Sequence, residues 1–271
     1  MPSAPVISAV FAACLIWWLS TGAILVAVRL AERGGQVAGL WTSIAALPLL
    51  GLGGWGYWSS VGLETTEGTY IAFLSALAIW GWVELSFLTG TVTGPVRTPC
   101  PPGVTANERF WRAWGSVAHH EIILTLFLAI LIEISWGAAN GVGLWTFVIL
   151  YFARVSAKLN LFLGVTHVNI DFLPRHLSHL PSHFGRARIN WLFPISITAL
   201  TFALACWIER GIAAEAPADQ IGFALVASLT ALALLEHWFL VLPLRDAELW
   251  RWMLPIQKQN DTKRIDPGEA P

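Results

Sequence analysis

Seven stretches of this chain are apolar over about the length that a helix needs to cross a bilayer, roughly 20 residues for a hydrocarbon core about 30 Å thick. They lie near residues 6–31, 37–59, 69–92, 115–138, 143–164, 191–213 and 220–243. Lipid offers no partner to a backbone N–H or C=O, so runs of this length satisfy their own polar groups as helices. The expected fold is all-α, a polytopic membrane bundle of about seven transmembrane helices forming one domain over residues 1–257, with a polar, disordered tail over 258–271. Composition agrees: 56% of the 271 residues are hydrophobic and 12% charged, where a soluble domain carries about a quarter charged residues. No basic residue precedes the first apolar stretch, which is expected to remain as an anchor. A formal net charge of -1 leaves no basic face for nucleic acid. The second stretch is the least regular, because Pro48 and the glycines of GLGGWG interrupt it; in a membrane such residues allow close helix packing.

Basic residues set the expected orientation. Arg29, Arg33, Arg97, Arg109, Arg112, Arg175, Arg186, Arg188, Arg245, Arg251, Lys258, Lys263 and Arg264 all fall on one side of a seven-span topology, and only Arg210 on the other. Positive residues stay in the cytoplasm, so the N-terminus is expected in the periplasm and the C-terminus in the cytoplasm. The segment RDAELWRWMLPIQ, with Trp250 and Trp252 beside Arg251, suits the surface of the cytoplasmic leaflet.

Charge inside the spans is the second constraint. A rise of about 1.5 Å per residue brings Glu84, His120 with Glu121, Arg154 with Lys158 and Asn160, and Glu236 with His237 to one layer in the cytoplasmic third of the membrane. A lone charge at mid-bilayer costs about 2.5–3.5 kcal/mol on insertion scales, so such groups turn inward and pair. Arg154 and Lys158 are four apart and share a face, with Ser156 and Asn160 on a neighbouring one. His120 and Glu121, like Glu236 and His237, are consecutive and diverge by about 100°, which makes them poor joint ligands. The candidates for a metal are His120, Glu121, Glu236 and His237, but the Glu-x-x-His spacing of di-iron bundles is missing. A purely structural polar network is the competing reading of the whole layer.

Between the fifth and sixth spans, DFLPRHLSHLPSHFGR spaces His176, His179 and His183 at three and four. Helical spacing would align them as part of a histidine box, but Pro174 and Pro181 intervene, and a solvated amphipathic loop is the expectation. Cys14, Cys100 and Cys206 lie far apart without a CxxC pair, so no disulfide framework is indicated. Sixteen tryptophans are read chiefly as interface belts.

Four blocks, HHEIILTLFLA, NGVGLWTFVILYFARVSAKLNLFLGV, DFLPRHLSHL and ALLEHWFLVLPLRDAELWRW, resemble the PuhE family of photosynthetic complex assembly proteins over about residues 115–252. That resemblance implies a multi-pass protein of the inner or intracytoplasmic membrane of bacteriochlorophyll-making bacteria, linked to reaction-centre and antenna assembly and to bacteriochlorophyll levels. The family brings no catalytic residues to carry over. The expected partners are the lipid bilayer, reaction-centre and light-harvesting subunits, and other assembly factors. The leading reading takes bacteriochlorophyll or a magnesium tetrapyrrole precursor as the ligand of this layer: an imidazole from His120 or His237 would ligate magnesium, and Arg154 or Lys158 would pair an acidic group. The candidate site residues are therefore Glu84, His120, Glu121, Arg154, Lys158, Asn160, His176, Glu236 and His237. Two alternatives stand beside this reading: a metalloenzyme oxidising tetrapyrroles or lipids, and a small transporter with an ionisable relay.

Overall fold

Capping residues and prolines set where the helices begin. The computed structural model describes residues 3–168, 170, 173–185 and 187–242. Among these there are eight α-helices and no strand: α1 Ala4–Arg33, α2 Gln36–Ala45, α3 Leu47–Ser60, α4 Thr66–Leu88, α5 Ala106–Ile134, α6 Val142–Leu163, α7 Leu192–Ala213 and α8 Pro217–Phe239. Helices α2 and α3 together make one span, so seven helical stretches are long and apolar enough to cross a membrane. The Thr65 side chain accepts from the Gly68 amide to start α4 (3.1 Å), and Thr105 accepts from the Glu108 amide to start α5 (3.2 Å). Arg186 and everything from residue 243 on, including the RDAELWRWMLPIQ segment and the polar tail, lie outside the described residues.

Two boundaries differ from the sequence expectation. Helix α5 begins at Ala106 and not near 115, because its first turns are polar: Thr105 caps them and Arg112 pairs with Glu108 four residues earlier (2.9 Å). An apolarity criterion does not see such a lead-in. The second span is interrupted at Ala46, two residues before Pro48, since a proline ring crowds the carbonyl four residues back and has no N–H to give it.

Helices α4 and α8 lie innermost. They bury larger shares of their spans than the other helices do: α4 buries Phe73, Ala76, Ile79 and Val83, and α8 buries Leu225, Val226 and Leu229. One apolar cluster joins Ala9 and Ala13 of α1 to Phe73 and the α8 residues; another joins Tyr57, Ile79, Val83, Leu124 and Phe147 across α3, α4, α5 and α6. The outer helices show large apolar side chains to their surroundings, among them Phe11, Trp55 and Phe202, as lipid-facing helices must. Trp136 is 83% exposed, while Trp80 meets Phe147 edge to face (5.4 Å between centroids).

Close approach depends on small residues. A Cβ added at Gly143 of α6 would lie 2.7 Å from the Tyr57 ring and 3.0 Å from the Ala72 carbonyl oxygen, whereas one at Gly54 would meet nothing within 4 Å. Overpacking of this kind costs roughly 1–3 kcal/mol. Gly143→Ala is therefore expected to lower the thermal unfolding midpoint in detergent by several degrees, with Gly54→Ala at or slightly above the wild-type midpoint; equal midpoints for the two variants would contradict the packing.

Candidate functional site

Helix α6 carries the polar layer. Its residues Arg154 and Lys158 project from one face toward α4 and α5. Arg154 Nη2 donates to Glu84 Oε2 at 2.8 Å, and Lys158 Nζ donates to Glu121 Oε1. His120 lies between the pairs, its Nε2 3.7 Å from Glu84 Oε1 and 4.0 Å from Glu121 Oε1. Both separations are too long for hydrogen bonds, and neither ring nitrogen of His120 has a partner. Phe87 of α4 closes the group, its ring 4.5 Å from the His120 ring and 5.3 Å from Lys158 Nζ. Glu84, His120 and Glu121 are buried, while Arg154 keeps 37% of its side chain exposed.

The opposite face of α6 builds a second, uncharged network. Ser156 Oγ donates to Ser196 Oγ of α7 at 2.8 Å and lies 3.0 Å from His237 Nε2 of α8. Asn160 Nδ2 donates to Ser196 Oγ (3.0 Å), and Asn190 Nδ2 reaches the carbonyls of Asn160 and Gly164 (3.2 and 2.8 Å). Asn190 Oδ1 in turn accepts from the Leu192 and Phe193 amides that open α7. The other nitrogen of His237 is bonded to the Ala233 carbonyl (2.8 Å).

Nine candidate residues thus divide three ways. Glu84, His120, Glu121, Arg154 and Lys158 come together; Asn160 and His237 belong to the second network; Glu236 and His176 belong to neither. Glu236 is exposed while His237 is buried, because a rotation of about 100° separates consecutive residues and only one can face inward. His119, beside His120, is likewise exposed. Asn190, Ser196 and Phe87 were not among the candidates. Asn190 alone had a sequence signal, an asparagine just ahead of an apolar helix.

A chlorin does not fit the two imidazoles expected to ligate its magnesium. His120 is 0% exposed and His237 1%, so neither ring offers an edge to a macrocycle, and His237 already spends both nitrogens on the protein. The acid-pairing role is also filled, since Arg154 and Lys158 hold the chain's own carboxylates. Nor do the metal candidates converge: among the described residues no group of three or more His, Cys, Asp or Glu is placed to hold a metal ion. Cations from α6 stand where a metal would, beside Glu84 and Glu121.

The loop between α4 and α5 roofs the charged group. Its backbone lies directly against α5: Val96 N–H donates to Gly115 O and His120 N–H to Thr93 O, both at 3.1 Å. A Cβ at Gly94 would fall 2.1 Å from the Gly115 oxygen. The histidine loop is not a solvated strip. Pro174 and Pro181 initiate two 3-10 turns, Arg175–Leu177 and Leu180–His183, which bury His179 and His183. Arg109 of α5 donates to the His183 carbonyl (3.2 Å) and Ser182 Oγ accepts from Cys100 N (2.8 Å). Burial pushes the imidazoles of His176, His179 and His183 below their ordinary value, which keeps them neutral at pH 7. His176 lies over Gly90, whose φ of +80° and close ring contact both exclude a side chain.

The fold and this layer define a seven-span helical membrane protein whose intramembrane charges compensate one another across three helices. The chain belongs to the DUF3623 family, described as proteins of unknown function, which it matches over residues 3–261. It is 52% identical over 241 residues to an uncharacterised 30.4 kDa protein in the puhA 5′ region of Rhodobacter capsulatus, an alignment that covers 89% of this chain and 88% of that one. No solved structure matches.

Removing one member of a buried ion pair leaves the other charge uncompensated, at about 3–5 kcal/mol. Lys158→Met is expected to destabilise the protein by about that amount in a detergent unfolding titration, and Glu121→Gln combined with Lys158→Met to restore most of it. Equal losses in the single and double variants would show that the pair does not compensate.

Proposed function

We propose that this chain is a membrane factor in the assembly of the photosynthetic reaction centre and its antenna, handling bacteriochlorophyll, a precursor or a pigment-binding subunit. The observation that carries this reading is the 52%-identical relative described by its place in the puhA 5′ region, a photosynthesis gene neighbourhood. The PuhE-like blocks support it from the residues. In this reading the protein resides in the inner or intracytoplasmic membrane as one helical domain, N-terminus in the periplasm, with the C-terminal tail and the arginine-rich end in the cytoplasm, as the distribution of basic residues favours.

Geometry amends how a pigment or subunit is met. The ionic layer is filled by its own pairs and roofed by the α4–α5 loop, so it acts as the framework that holds α4, α5 and α6 in register. Contact with reaction-centre or light-harvesting subunits falls to the lipid-facing helices and to the cytoplasmic end. The convergence on charge pairing instead of metal ligation gives no support to the oxidase alternative, and no feature of the seven helices favours the transporter.

Deletion of the gene in a phototrophic host is expected to lower the reaction-centre and bacteriochlorophyll content of the membranes, with recovery on complementation. Gentle purification of the tagged chain from that host is expected to bring down reaction-centre or light-harvesting subunits, read by mass spectrometry and an absorption spectrum. Wild-type complex levels in the deletion strain together with a purified chain free of photosynthetic subunits and pigment would overturn the reading.

A further inference from the structure

At the arginine-rich end of the bundle a cleft of about 550 Å³ opens between the end of α1, the start of α2, the α4–α5 loop and the histidine loop. Its polar wall holds Arg97, Arg175, His176, His179, Thr93 and Glu32, and its apolar wall includes Val28 and Ala31 of α1. Two buried groups in that wall lack partners: Oγ1 of Thr93, a residue 3% exposed, and Nε2 of His179, a residue 5% exposed. The Val96 and His176 carbonyls approach the His179 ring, yet Nε2 completes no hydrogen bond. Buried polar atoms are almost always satisfied, so an orphan hydroxyl and an orphan imidazole nitrogen on two residues that line one cleft point to a polar ligand there.

The charge of the cleft selects the ligand's sign. Arg97 and Arg175 contribute two positive charges, and among the described residues neither guanidinium is paired with a carboxylate. Glu32 supplies the opposing charge and is already used, its Oε1 accepting from the Arg175 amide at 2.8 Å. The helix ends agree. Carbonyls at the end of α1 are capped by the Gly34 amide, and those at the end of α4 by the Thr89 and Gly90 amides. The start of α2, by contrast, has no side-chain cap, and its N-cap residue Gly35 lines the cleft. Uncapped amides at a helix start favour an anion.

We infer that this cleft binds a phosphate group, and that the phosphate is the headgroup of an anionic phospholipid. Two arginines, a hydroxyl and an imidazole around a helix start match the several oxygens of a phosphate better than a single carboxylate. The volume lies within the range of small-molecule sites, about 300–1,000 Å³, and so exceeds a bare phosphate. Val28 and Ala31 continue the cleft along a membrane-spanning helix, where the glycerol and the first acyl carbons of a lipid would lie. The inference concerns the isolated protein and does not depend on the photosynthetic role.

The test uses the full chain in nanodiscs or mild detergent, with binding of phosphatidylglycerol and phosphatidylcholine measured by native mass spectrometry. The wild type is expected to retain phosphatidylglycerol selectively. Arg97→Gln with Arg175→Gln is expected to weaken that binding roughly 25-fold, a factor of about five for each arginine near an anionic lipid. Thr93→Val should weaken it as well, and Arg210→Gln, at the other end of the bundle, should leave it unchanged. Equal retention of the two lipids by the wild type, or undiminished phosphatidylglycerol in the folded double variant, would overturn the site. If the double variant fails to fold, the wild-type selectivity decides alone. Glycerol 1-phosphate displacing the lipid at equal concentration would overturn the lipid assignment in favour of a soluble phosphate ester.

Discussion

Two carboxylates and two cations inside a lipid-facing bundle persist only as partners. Lipid tails are as apolar as leucine, so little hydrophobic force draws these helices together, and register comes from close contacts and polar pairs. Arg154 and Lys158, one turn apart on α6, each take a carboxylate from a different helix, Glu84 from α4 and Glu121 from α5. A slip of α6 by a single turn, about 5.4 Å, would break both pairs at once and leave four charges in a low-dielectric interior. The pairs are weak evidence for raw stability, because apolar residues of the same volume often serve as well. Their effect is on specificity: they admit one axial register for three helices.

The same helix fixes its other neighbours with neutral groups. Ser156 stands two residues from both Arg154 and Lys158, about 200° round the helix from each, so the hydroxyl and Asn160 face away from the ions. There they meet Ser196 of α7, His237 of α8 and, through the Asn160 carbonyl, Asn190 of the preceding loop. Helix α6 is thereby a two-sided hub, ionic toward α4 and α5 and hydrogen-bonded toward α7 and α8. Among the described residues no hydrogen bond joins the two networks, which divides the single chamber expected from depth into two fastenings.

What could be read in the residues follows from how steep each penalty is. Span number and the pairing of Arg154 and Lys158 with carboxylates on other helices were legible, because exposing a charge or a broken backbone to lipid costs several kcal/mol. The common level of Glu84, Glu121, Arg154 and Lys158 was legible too, from a fixed rise per residue. Rotation was not: nothing in ALLEHWF says whether Glu236 or His237 turns inward, and the structure buries the histidine. Loop placement was less legible still. The proline- and glycine-rich stretch TGPVRTPCPPG carries no local sign of where it docks, yet Gly94 lets its backbone press on Gly115, and Val96 and Thr93 bond to α5. The burial of His179 and His183 comes from the same kind of event, a long-range contact between two loops bridged by Arg109 and Ser182, which no local pattern encodes.

Thr93 ties the buried layer to the accessible end. Its carbonyl accepts the His120 amide, so the residue is anchored one peptide away from the ionic group, while it also lines the cleft of Arg97 and Arg175. The layer below it is satisfied by its own pairs, and burial denies a large ligand access to His120. A partner or ligand arriving at this end therefore meets the arginines first, on a loop whose position is set by the charges beneath. The arginine-lined cleft and the buried charge are separated here by a single residue: the costly charges hold the helices in register, and that register places the cleft.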